Sequence, residues 1–271
     1  MNTGAYRQRA ERRRQVRGAG EARSDGWQRT EEDEHLLRLA TRYSTLTLHQ
    51  AAYACWGGRI EAARRRVRLM TEAGLLHRDA DVRWARTVLW PTGSGARIAG
   101  TGLDAPRPPG ERLLHRLALA DAGIRLEREG HRVLSEREVH AADAVPGRAA
   151  ELLADLGVHQ APPGARRGET LAVPAGPRAV HWPDLVVVLP GGRLAAVEVE
   201  LTPKPAAALR TILRAYKQAR RPVAYLATEP VVRQLQGGPG TGGLLRVRPF
   251  SAVDPAVARR AAQQAARLQG G

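Results

Sequence analysis

The 271 residues hold one cysteine, one phenylalanine and two lysines, and each scarcity excludes something. A single cysteine, Cys55, forbids an internal disulfide and cannot build a cysteine-based zinc site, so an extracellular disulfide scaffold and a zinc finger both drop out. Set in an apolar helical run, Cys55 reads as a packing residue. Aromatics make up 4% of the chain. No apolar run approaches the roughly 18 residues of a membrane span, so no membrane partner is expected. The first thirty residues carry eight Arg and lack the apolar stretch of a secretory signal. The expected compartment is the cytoplasm. The glycines at 237, 238, 240, 242 and 243 lack the Lys and Ser/Thr of a phosphate loop, so no nucleotide-driven motor is indicated.

Arginine is what the chain has in excess. Basic residues number 43 against 27 acids, and the net charge is +16. All the basic residues but Lys204 and Lys217 are Arg. The excess is spread along the whole chain, and so basic a protein attracts polyanions through counterion release whatever its fold. Double-stranded DNA is the leading expected partner.

Residues 1–29 contain few sizeable apolar groups and are expected to form a flexible basic arm. Order is predicted to begin at Thr30, which forms a capping-box pattern with Asp33 ahead of a helix running to about Tyr43. A second helix starts at Thr47, with Gln50 three residues on, and stops at Gly57 and Gly58. The third helix, Arg59 to Ala73, places Ile60, Ala63, Val67 and Met70 on one stripe. Arg65 and Arg68 point away from that stripe, with Arg59, Arg64 and Arg66 beside them. Leu75–His77 and a strand expected over Trp84–Trp90 complete a wing. Residues 30–103 therefore read as a winged helix-turn-helix whose third helix is the DNA-reading one. The bland alternative is an amphipathic surface helix with a solvated Arg face.

Pro106, Pro108, Pro109 and Gly110 mark a boundary, and a second domain is expected over 104–251. Its predicted elements are a helix over Glu111–Glu129, a strand over Arg132–His140, and a hairpin of Leu185–Leu189 with Leu194–Leu201 across Pro190–Gly192. A helix over Ala206–Arg220, a strand over Pro222–Ala227, a helix over Val231–Leu235 and a strand over Leu244–Phe250 follow. Residues 141–179 give little signal, and 252–271 read as a C-terminal helix. The expected class is α+β or α/β.

Three carboxylates fall at the hairpin. Asp184 follows Pro183 at the mouth of one strand, while Glu198 and Glu200 are two apart on the next and share a face. Clustered carboxylates repel and are costly to desolvate unless a cation sits among them, and Mg²⁺ or Mn²⁺ is the natural choice. Lys204 and Lys217, compact point charges, lie close by in sequence and suit a water or a scissile phosphate better than Arg does. Glu136 and Glu138, on the preceding expected strand, are candidates to complete the acidic cluster. His181 is a candidate for stacking on a nucleotide, or is a hydrogen-bonded structural residue.

The run Pro183, Asp184, hairpin, Glu198, Val199, Glu200 resembles the PD-(D/E)xK nuclease motif, with Glu200 in place of the final Lys. Combined with the winged helix, the long helix, the Ser135–Glu138 segment and His181–Asp184, it resembles the replication-relaxation family of plasmids and integrated mobile elements over about residues 30–235. The resemblance implies a restriction-endonuclease-like domain. In it Asp184, Glu198 and Glu200 would hold metal, with Lys204 or Lys217 orienting the nucleophile. It further implies a role in plasmid replication or transfer alongside other proteins of those processes, and a homodimer is common among such DNA binders. Two readings stay open: a Mg²⁺-dependent DNA-nicking enzyme, and a non-catalytic regulator of replication, transfer or transcription built on a retired nuclease-like domain.

Overall fold

A computed structural model describes residues 28–82, 84–158, 170–176, 179–236 and 243–267. Almost all of the expected basic arm, most of the Gly-rich stretch and residues 159–169 lie outside the described residues. What is described is a mixed α+β fold.

The first helices form where their caps predict. Asp33 accepts from the Thr30 N–H at 2.9 Å and α1 runs Glu31–Arg42. After β1 (Leu46–Thr47), Thr47 and Gln50 exchange bonds of 2.8 and 3.1 Å to start α2 (Leu48–Cys55). Gln50 Nε2 also donates to the Leu117 carbonyl at 2.8 Å, so one capping residue pins α2 to a helix 67 positions away. Helix α3 (Ile60–Glu72) buries Ala63, Val67 and Met70 of the expected stripe and leaves Ile60 partly buried against the core. Strands β2 (Leu76–Asp79) and β3 (Val88–Pro91) pair antiparallel, and β1 joins on the other side of β3. The second strand is shorter than the Trp84–Trp90 run because residues 84–86 turn, with Arg86 at φ 57°. A short α4 (Gly93–Ala99), capped by Thr92, follows; its glycines hid it from the sequence reading.

The long helix α5 (Leu113–Arg128) leads into a second sheet. In chain order come β4 (Arg132–Ser135), α6 (Glu136–Asp143), α7 (Arg148–Asp155) and the short pair β5 (Val173–Pro174) with β6 (Val180–His181). After them run β7 (Leu185–Val188), β8 (Leu194–Glu200), α8 (Ala206–Gln218), β9 (Val223–Ala227), α9 (Glu229–Gln236), β10 (Leu245–Pro249) and α10 (Pro255–Arg267). The large sheet is ordered β10-β9-β8-β7-β4, antiparallel from β4 to β8 and parallel from β8 to β10.

The strand expected over Arg132–His140 is corrected. It ends at Ser135, whose hydroxyl and Glu138 form a capping box that turns the chain into α6. Glu136 and Glu138 therefore lie in the first turn of a helix. A Ser-x-x-Glu start outweighed the short apolar run before it.

One apolar core runs from Leu36, Leu37 and Met70 through Leu117 and Ile124 of α5 to Val187 and Val199 of the large sheet, and includes Val257 and Ala261 of α10. Each of these larger side chains, removed from water, contributes about 1.5–3 kcal/mol. The other face of the sheet is covered by α8 and α9 around Tyr216 and Tyr225, and by α6 and α7 around Val139 and Leu153. An ionic clasp also ties α1 to α5, α6 and β4. Arg42 of α1 bonds Glu127 of α5 at 2.7 Å, Glu138 of α6 at 2.8 Å and the Val133 carbonyl at 2.5 Å.

Candidate functional site

Strand register assembles the acids. Leu185 pairs with Val197 across β7 and β8, so Asp184, one residue earlier, lies opposite Glu198. On the other side of β8, Glu198 pairs with Tyr225 of β9. Period-two alternation sends Val197, Val199 and Leu201 to the α5 face and leaves Glu198 and Glu200 on the other, as the spacing predicts. Glu198 is 3% exposed and Glu200 8%.

Each acid is met by a base. Asp184 Oδ2 accepts from the Val199 N–H at 2.8 Å, and its Oδ1 lies 3.4 Å from Nε2 of His115 on α5. Glu198 Oε1 is 2.8 Å from His181 Nε2 and also accepts from the Tyr216 hydroxyl of α8. Glu200 is ion-paired with Lys204, four residues on. Burial, with the Asp184 charge beside it, pushes the Glu198 carboxyl up, while His181 and Tyr216 oppose that rise. Burial works against the charge on both histidines, yet the facing carboxylates outweigh it and hold His115 and His181 above the ordinary imidazole value. The Tyr216 and Tyr225 hydroxyls are pushed well up by burial and by Glu198, and neither supplies a phenolate.

The expected site residues divide accordingly. Asp184 and Glu198 come together. Glu200 sits at the end of β8 with Lys204, and Lys217 is exposed on α8 while its neighbour Tyr216 is the one turned to Glu198. Glu136 stays near the site through its charge on His115, whereas Glu138 is committed to the Ser135 cap and to Arg42. His181 takes the hydrogen-bonded role, and burial pushes the Cys55 thiol up to about 12, as suits packing. The sequence reading missed His115, Tyr216 and Tyr225, since all three reach the acids from other elements of the fold. Among the described residues, no group of three His, Cys, Asp or Glu side chains is disposed to hold one metal ion.

Arg59, just before α3, and Arg64, Arg65 and Arg68 on it are exposed. Arg64 pairs with Glu61, and Arg68 lies 3.8 Å from Glu72. Arg66 differs: its guanidinium grips the buried Asp33 through Nε, at 3.0 Å, and Nη2, and so ties α3 to the start of α1. No described helix is long and apolar enough to cross a membrane.

Asp184 also lines a cleft of about 630 Å³, which opens between α5, the start of α6 and the 102–107 loop. Set against family models, curated proteins and solved structures, the chain matches none.

Proposed function

We propose that this chain is a DNA-binding protein acting in the replication or transfer of a plasmid or mobile element, with α1 to β3 as a winged helix and the large sheet as a nuclease-like domain. The observation that carries the reading is the face of α3: Arg64, Arg65 and Arg68, with Arg59 at its N-terminal cap, are exposed along a helix whose opposite stripe is buried. Its pairs with Glu61 and Glu72 are exposed i,i+3 and i,i+4 contacts. Pairs of that kind are worth about 0.3–0.5 kcal/mol, so a phosphate displaces them easily. Element order supports the same reading, because α3 follows a short helix and a glycine turn and precedes an antiparallel pair, the arrangement that docks a helix in the major groove.

The acidic site favours binding over cutting. A hard divalent ion wants carboxylates plus positions open to water. Here His115, His181 and Lys204 already balance Asp184, Glu198 and Glu200, so as arranged these residues do not fit a three-ligand ion. The non-catalytic regulator is accordingly the better-supported form. Mg²⁺- or Mn²⁺-dependent nicking is the second reading, and the facing of Asp184 and Glu198 across β7 and β8 favours it.

Fluorescence anisotropy with labelled duplex tests the main reading. Arg65→Ala with Arg68→Ala is expected to cost about 1–3 kcal/mol per base contact, or to lower the salt slope by about 1 per phosphate contact. Unchanged affinity and slope would remove α3 from the account. Supercoiled plasmid with either metal separates the two forms: nicking that Asp184→Ala abolishes would establish the enzyme.

A further inference from the structure

The cleft beside Asp184 is walled by five guanidinium groups, of which the fold uses two. Arg42 is spent on Glu127 and Glu138, and Arg137 on the Thr41 and Asp104 carbonyls. Arg107 and Arg112 line the same cleft exposed, and Arg116 lines it with Nη1 buried and without a hydrogen-bond partner among the described residues. A donor on a cation is costly to bury without a partner. Arg116 also crowds Arg137, whose charge burial already disfavours, with Asp104 opposing. Against these groups the cleft offers three carboxylates, Asp104, Glu136 and Asp184, the last of them faced by His115. An anion is the missing partner.

Size narrows its class. A space of about 630 Å³ falls within the range of small-ligand sites, about 300–1,000 Å³. A duplex, whose major groove alone is about 12 Å wide, does not enter such a space, whereas a few nucleotides of one strand do. Basic grooves that track the backbone are how unpaired strands are held.

We propose that this cleft takes the phosphates of an unpaired DNA strand, with Arg107, Arg112 and Arg116 as the contacts. The inference rests on the DNA-binding reading above and adds a second site to it: α3 meets the duplex while the cleft holds a strand separated from it. The arrangement suits a protein that acts where a duplex opens.

The test is anisotropy with a labelled single-stranded oligonucleotide and, in parallel, a labelled duplex, on the full chain. Arg107→Glu with Arg112→Glu alters exposed side chains and leaves the core untouched, and Arg116→Gln is the second variant. Thermal melting checks that each is folded. The double variant is expected to bind the single strand at least tenfold more weakly. Its log–log salt slope should shrink by about 1.4, at about 0.7 per phosphate contact on single strands. Duplex binding is expected to change far less. Single-strand affinity and slope equal to wild type in folded variants would overturn the cleft proposal and leave the α3 reading standing. Wild-type protein that binds neither probe at low salt would overturn both.

Discussion

Asp121 gives the sharpest prediction about the scaffold that carries both sites. It sits in the middle of α5, fully buried, and its Oδ1 accepts from the Val253 N–H at 2.9 Å. Oδ2 of Asp121 and Oδ2 of Asp254 have no hydrogen-bond partner among the described residues. Burial, reinforced by Asp254 and opposed by the nearby Gln50 amide and the Val253 N–H, pushes the Asp121 carboxyl from 3.8 up to about 7. Between those values the folded protein keeps a proton that the unfolded chain releases. The stabilising contribution is therefore complete at low pH, falls as pH rises from about 4, and is flat above about 7. Asp121→Asn cannot ionise and escapes this loss. At about 1.4 kcal/mol for each pH step over which only the unfolded chain ionises, the variant's advantage over wild type grows by about 2–3 kcal/mol between pH 5 and pH 8. Urea unfolding followed by tryptophan fluorescence at several pH values measures it. A gap between variant and wild type that stays constant with pH, or narrows, would refute the reasoning.

Three further substitutions probe the clasp and the acidic site. Gly123→Ala, which in an open helix would stabilise by about 1 kcal/mol, would set a Cβ into the Tyr43 ring and hydroxyl. It is expected instead to lower stability by about 1–3 kcal/mol by calorimetry. Arg42→Ala strands Glu127 and Glu138, whose side chains keep 21% and 18% exposure. A loss of about 3 kcal/mol, near the lower end for a buried pair, is expected from denaturant midpoints, while a loss under 1 kcal/mol would make the clasp incidental. Glu198→Gln removes the charge that holds His181 up against its burial. The His181 pKa, followed by NMR titration, is expected to fall, and an unmoved value would contradict the pairing.

Local signals made much of the fold legible. The α1 and α2 caps, the α3 stripe and the β7–β8 alternation are written in neighbouring residues, and those elements lie within a few positions of their expected bounds. Ser135 and Glu138 carried a cap signal as clear as that of Thr47 and Gln50, but the apolar Val133–Leu134 run in front of it favoured extending the strand. Meeting of Asp184 with Glu198 was also legible, since a hairpin fixes its own register. Their partners were not. His115 arrives from α5 and Tyr216 from α8, and sequence spacing carries no information on contacts made by packing separate elements. For the same reason Arg66 looked equivalent to Arg65 on the helix, although tertiary contact with Asp33 commits it to the interior.

The account's central claim is that the exposed Arg face of α3 binds DNA through its charge, and the salt dependence of duplex affinity tests it most directly. Each phosphate neutralised contributes about −0.9 to the slope of log affinity against log salt, so four arginines predict a linear fall with a slope of about −3.6. Affinity that does not change with salt, or no duplex binding at about 50 mM salt, would contradict it.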